Sequence, residues 1–153
     1  MTCRSLMTSK PLVLRETDPL DKGVHLLLAN RLHALPVVDG EGRYLGLFDL
    51  PSVFQAMLPS IATFDENLVD LNFIGDDIDD LRVNLPNDTP VIGFLDTRIE
   101  PIGPDLSLKE TLLRVFRCRC ALPVVDAVTG KLEGMVSPWG ALDAIERRKK
   151  ARS

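Results

Sequence analysis

The sequence predicts an α+β fold made of two copies of one strand–helix–strand–strand–helix unit. Three observations carry that expectation. Leu35-Pro36-Val37-Val38-Asp39 returns letter for letter, 87 positions on, as Leu122-Pro123-Val124-Val125-Asp126. Five identical residues in so short a chain mark an internal duplication. Each copy is followed by a glycine and two apolar residues, Gly46-Leu47-Phe48 and Gly134-Met135-Val136. Each is preceded by an amphipathic run at helical spacing: Leu20, Val24, Leu27 and Leu28 in one, Leu108, Leu112, Val115 and Phe116 in the other.

The elements follow in order. After a short lead, Pro11 to Leu14 is an apolar run of strand length. Asp18-Pro19 reads as a helix start, with Asp18 as N-cap, Pro19 at the first helical position and Asp21 in the first turn. That helix is predicted to reach about Leu32. Leu35 to Val38 reads as a buried strand, Asp39-Gly40-Glu41-Gly42 as a turn, and Tyr44 to Phe48 as the return strand. A second helix is expected from Pro51 to Leu58, ended by Pro59. The second copy starts near Pro90. Ser107-Leu108-Lys109-Glu110 forms a capping box, with Ser107 as N-cap and Glu110 reaching back. Its helix runs to about Arg119, followed by the strand Leu122 to Val125, a turn ending at Gly130 and the return strand Leu132 to Val136. Ser137-Pro138 starts the last helix, which reaches Glu146 or beyond. The chain thus divides into a first repeat (1–59), a connector (60–89), a second repeat (90–147) and a basic tail (148–153).

The connector has no counterpart in the repeat. It carries Asp65, Glu66, Asp70, Asp76, Asp77, Asp79, Asp80 and Asp88 against the single Arg82. Such a run reads first as solvated surface. A metal site from the paired aspartates is the alternative, but the glycine and terminal glutamate of a calcium loop are missing. Residues 61–73 are expected to be partly helical and residues 75–80 a solvated loop.

The chain has 153 residues, 45% of them apolar, enough for one core or two half-domains that share one. A net charge of −4 argues against a nucleic-acid protein. The basic run Arg147 to Arg152 offers nucleic acid its one foothold and otherwise reads as a disordered end. No stretch approaches the ~20 apolar residues of a membrane span, and the first residues lack the apolar centre of a signal peptide. Three cysteines in no framework spacing point to a reducing, cytoplasmic setting. Cys118 and Cys120, two apart at a helix end, point in different directions and make a poor disulfide and a weak metal pair. His25 and His33 have no carboxylate or cysteine nearby at ligand spacing. No Ser-His-Asp set, P-loop or zinc motif is visible, so neither a catalytic set nor a required cofactor emerges.

The element order, the Leu-Pro-Val-Val-Asp strands and the glycine leading into a helix start together resemble the cystathionine-β-synthase-type (CBS) domain. Two in tandem resemble a Bateman module, over roughly residues 5–58 and 90–147. The resemblance implies two βαββα repeats related by a pseudo-twofold axis, two clefts between them, and a homodimer. It also implies an adenine-nucleotide ligand, held by a pattern of glycine, two apolar residues, Ser or Thr, two variable residues and Asp. The hydroxyl at a helix N-terminus favours a phosphate, the Asp accepts from the ribose, and the strand mouths hold the adenine.

On this chain the strand-mouth positions fall at Pro36, Ala121 and Pro123. In the second copy Ser137 matches the hydroxyl, and Gly140 stands where the Asp belongs. In the first, Asp49 replaces the hydroxyl and Ser52 the Asp. Asp49 faces a phosphate with like charge, at a cost of about 4 kcal/mol for unit charges about 4 Å apart at an effective dielectric near 20. The repeat aligns Ser9-Lys10 with Thr97-Arg98 beside the clefts, where Lys10 and Arg98 are either phosphate partners or ordinary exposed cations. Ser137 is a phosphate ligand or a plain N-cap. Trp139 stacks on a base, plugs the cleft or packs at an interface. The resulting expectation is a stand-alone regulatory module, not an enzyme. It senses a small adenine-containing ligand (AMP, ADP, ATP or S-adenosylmethionine class) and signals to an unidentified protein. The alternative is a ligand-free dimerisation or docking scaffold with degenerate nucleotide sites.

Overall fold

The computed structural model describes residues 1–57, 77–79 and 85–152. In the first repeat, β1 (Leu14–Arg15) lies parallel to β2 (Ala34–Val38), which pairs antiparallel with β3 (Tyr44–Asp49), giving a sheet of order β1-β2-β3. Helix α1 (Leu20–Asn30) connects β1 to β2, and α2 (Leu50–Met57) follows β3. The second repeat has α3 (Leu108–Cys118), a hairpin of β4 (Leu122–Val125) and β5 (Leu132–Val136), and α4 (Pro138–Arg152). A parallel bridge from Ile102 to Val124 stands in for β1. The repeated aspartate anchors each hairpin turn. Asp39 Oδ1 accepts the Glu41 and Arg43 amides, and Asp126 Oδ1 those of Val128 and Thr129.

The helix ends depart from expectation in instructive ways. Asp18 is not the N-cap of α1; its carboxylate accepts the Arg15 amide at 2.8 Å. Pro19 takes the cap position, and the amides of Leu20 and Asp21 donate to the carbonyls of Thr89 and Asn87. A distant backbone segment therefore satisfies donors that a local side chain usually takes. Ser107 does cap α3, accepting the Glu110 amide, but the Glu110 carboxylate turns to Arg114 instead of reaching back. Of the apolar run 11–14 only Leu14 enters a strand, because β2 offers partners only at Val37 and Val38. The basic run after Glu146 is helical to Arg152, with cations at the favourable end of the helix dipole. The readings made for residues 58–76 and 80–84, Pro59 as a helix stop among them, lie outside the described residues.

The two repeats exchange their lead segments. Thr8 bridges Met135, and Leu47 bridges Asp96; a shift of 88 carries Thr8 onto Asp96 and Leu47 onto Met135, so it exchanges one bridge for the other. The same shift relates Thr2–Ser107 to Pro19–Pro90, and it carries Arg43 onto Lys131, which bridge each other. That is the signature of a pseudo-twofold axis through the Arg43–Lys131 contact. The cores follow suit. Cys3 and Leu6 are buried with Ile102, Val115, Val124 and Val136, whereas Val91 is buried with Leu14, Leu20, Val37 and Phe48. Val53 also belongs to this first core.

The exchange explains the glycines of the repeated motif. A Cβ on Gly134 lies 2.5 Å from the Thr8 carbonyl oxygen, and one on Gly46 lies 3.0 Å from Leu95 Cβ. Each glycine lets the other repeat's lead strand pass. Gly134→Ala forces the lead off the β5 edge and is expected to destabilise by about 1–3 kcal/mol, read by denaturant unfolding. An unchanged midpoint contradicts this.

Candidate functional site

Strand β3 runs straight into α2, and β5 into α4, so each hairpin delivers one residue to a helix N-terminus. In the first repeat that residue is Asp49, whose Oδ1 accepts the Ser52 amide at 2.9 Å and the Ser52 hydroxyl at 2.7 Å. In the second it is Ser137, whose Oγ accepts the Gly140 amide at 2.9 Å. Both are N-caps. The Ser137 hydroxyl proton remains free to donate. Ser52 is buried and committed to Asp49, so it does not face a ligand. At Gly140 an added Cβ meets Ser137 Oγ at 2.9 Å.

Both caps line one cavity of about 1020 Å³ between the repeats. Of the residues expected there, Asp49, Ala121, Ser137 and Trp139 line it. Trp139 is 82% exposed. Pro36 and Pro123 do not line it; both are fully buried within the strand pairs, opposite Leu47 and Met135. Pro36 lies beyond the end of β1, where its missing amide leaves no gap in the parallel pairing. Ser9, Lys10, Thr97 and Arg98 do not line the cavity either, because the lead strands present the preceding residues, Thr8 and Asp96, to it. Arg98 is instead tied to Asp96, both of whose carboxylate oxygens accept from its guanidinium at 3.2 Å.

Asp96 is the group that sequence reasoning missed in the first-repeat half. The bridge to Leu47 sets it beside Asp49, near enough for each carboxyl group to perturb the other. Burial pushes Asp49 above the ordinary carboxylate range; the hydrogen bonds from Ser52 oppose the rise and Asp96 adds to it. The Arg98 hydrogen bonds hold Asp96 below that range. Of the two, Asp49 is the one that holds a proton more readily. The Tyr44 hydroxyl is buried without a hydrogen-bond partner, and burial together with the charges of Asp96 and Asp49 pushes its pKa upward.

The other missed residues are Arg31, His33 and Arg119, all lining the cavity. Aligning the helix ends of the two repeats pairs Arg31 with Arg119, a signal present in the sequence but not used. Cys118 and Cys120 correct another expectation. The structure brings them together, Cα atoms 5.1 Å apart, because Arg119 leaves the helix in the left-handed conformation and turns Cys120 back.

Residues 3–59 match the family model of the CBS domain. The first repeat thus carries the CBS-domain signature. Both repeats together have the fold of known CBS pairs. CBSX2, solved in complex with AMP, superposes with a TM-score of 0.70 at 18% identity, covering 97% of this chain and 98% of that one. CbpB in complex with c-di-AMP superposes at 0.67 and 17% identity, covering 96% and 85%. In sequence, the first CBS repeat is similar to the chloroplastic CBS domain-containing protein CBSX2 of Arabidopsis thaliana, 40% identical over 53 residues. That match covers 35% of this chain and 22% of the relative. A second match, chloroplastic CBSX1 of the same plant, is 36% identical over 62 residues, so the chain spans about a quarter of the curated relatives it matches.

The carboxyl pair of the first CBS repeat has a pH signature. Asp49 binds its proton more tightly folded than unfolded, so it costs stability as pH rises from the ordinary value of 3.8 through its raised one. Asp96 works the other way: its contribution is present above 3.8 and is lost as pH falls through its lowered value. Asp49→Asn keeps an N-cap and removes the buried charge. It is expected to be more stable than the unmodified protein at pH 7, with the gain vanishing as pH falls toward 3.8. Urea unfolding across that range checks this, and a pH-independent difference contradicts it.

Proposed function

We propose that this chain is a regulatory module, not an enzyme. It binds an adenine-containing ligand in the cavity between its CBS repeats and passes the resulting change in their relative angle to a partner protein. The observation that carries the reading is the cavity itself. It is large enough for a nucleotide and receives the N-terminus of α4 through Ser137, whose amides and hydroxyl suit a phosphate. Supporting it are the adenine ligands of two fold neighbours, AMP in CBSX2 and c-di-AMP in CbpB. The first-repeat end of the cavity, with its two carboxyl groups, disfavours phosphate, so the phosphate end of the ligand lies toward Ser137.

A thermal-shift screen over AMP, ADP, ATP, c-di-AMP and S-adenosylmethionine tests this. A ligand at one hundred times its Kd adds about 2.7 kcal/mol of stability. Ser137→Asp retains the cap but sets a like charge against the phosphate, and titration calorimetry is expected to lose the binding. No shift with any of these ligands favours the ligand-free scaffold.

The module is further proposed to act as a homodimer. Phe54 on α2 and Trp139, Leu142 and Ile145 on α4 are exposed apolar residues beyond what the cores use. A second copy covers them, burying upwards of roughly 1,000 Å². Sedimentation at tens of micromolar is expected to show a dimer, and Leu142→Glu a monomer.

A further inference from the structure

Arg31 and Arg119 are the only non-glycine residues with positive φ among the described residues, at φ 51 and ψ 45 and at φ 56 and ψ 35. They end α1 and α3, and the shift of 88 that relates the bridges also relates them. Glycine is the low-strain residue at this position, with asparagine next; an arginine there has to hold its Cβ against the carbonyl oxygen. Both arginines are exposed. No hydrogen bond or ion pair is recorded to either guanidinium among the described residues, yet both line the same cavity, one from each repeat. Strained, unpaired and duplicated cations that converge on one cavity match the general pattern of backbone strain held at functional sites. The other strong cation nearby, Arg98, is neutralised by Asp96.

From this we infer that Arg31 and Arg119 form a two-armed anion receptor, and that the ligand carries at least two negative charges. The inference rests on the cavity being the adenine-ligand site and narrows the ligand class. A nucleoside di- or triphosphate or a dinucleotide supplies a charge for each arm, and guanidinium forks favour phosphate oxygens. Adenosine supplies none, and a sulfonium such as S-adenosylmethionine adds a cation to the two already there.

The test uses Arg31→Gly, Arg119→Gly and the double variant, titrated calorimetrically with ATP, AMP, S-adenosylmethionine and inorganic tripolyphosphate. Glycine relieves the left-handed strain, so each ligand-free variant is expected to melt higher than the unmodified protein. Each single substitution is expected to weaken ATP binding by about tenfold or more, and the order of affinity in the unmodified protein is expected to be ATP over AMP over S-adenosylmethionine. Nucleotide affinity unchanged in the double variant overturns the arginine assignment and leaves the adenine reading standing. Arginine-dependent binding of tripolyphosphate without nucleotide preference supports the receptor and sinks the adenine reading. Binding by none of the four probes overturns both.

Discussion

The exchange of lead segments is the constraint on which the rest of the molecule depends. Neither repeat closes its own core: Val91 fills the first, and Cys3 with Leu6 fills the second. Hydrophobic burial is the dominant favourable term in folding, and here much of it is available only across the repeat boundary. The two halves are thereby locked at one relative orientation, and the cavity between them is a product of that lock. The glycines at 46 and 134 are its cost in side chains, since a Cβ at 134 obstructs the Thr8 backbone and one at 46 crowds the Leu95 side chain.

The duplication was legible because it was written in identical residues at a constant spacing, and the strand limits followed from it almost unchanged. What escaped were features settled by atoms far away in sequence. The cap of α1 is supplied by the carbonyls of Asn87 and Thr89, so the local Asp18-Pro19 pattern, chemically adequate for a cap, was misleading. Lys10 and Arg98 were placed beside the ligand by alignment, but bridging puts the residues before them, Thr8 and Asp96, at the cavity wall. Asp96 carries no local signal of its position, which is set by its bridge to Leu47 beside Asp49. The two arginines at the helix ends were visible as a repeated pair, yet their left-handed backbone has no letter in the sequence. The same backbone turn reversed the reading of Cys118 and Cys120, which assumed that the helix continued.

The cavity is electrically uneven although the fold around it is nearly symmetric. The repeats place corresponding residues at corresponding points, Asp49 against Ser137 and Asp96 against Thr8, but one pair is acidic and the other neutral and hydroxylic. The arginines, by contrast, are alike in both halves. A ligand therefore meets a polar gradient along the cavity and a matched pair of cations across it. The symmetry of the backbone sets where groups can stand, and divergence of a few side chains sets the direction in which a ligand lies.

The crossed cores also govern the order in which the molecule can come into being. A chain leaving the ribosome presents Cys3 and Leu6 long before their partners Ile102, Val115 and Val136. The first sheet likewise waits for Val91 before Leu14 and Phe48 are covered. Neither half is a finished folding unit while it is being made, and the closing contacts span nearly the whole length of the chain, which places the molecule among slow, late-committing folds. A gene fragment ending at the connector encodes a sheet with an open side and not a smaller version of the protein.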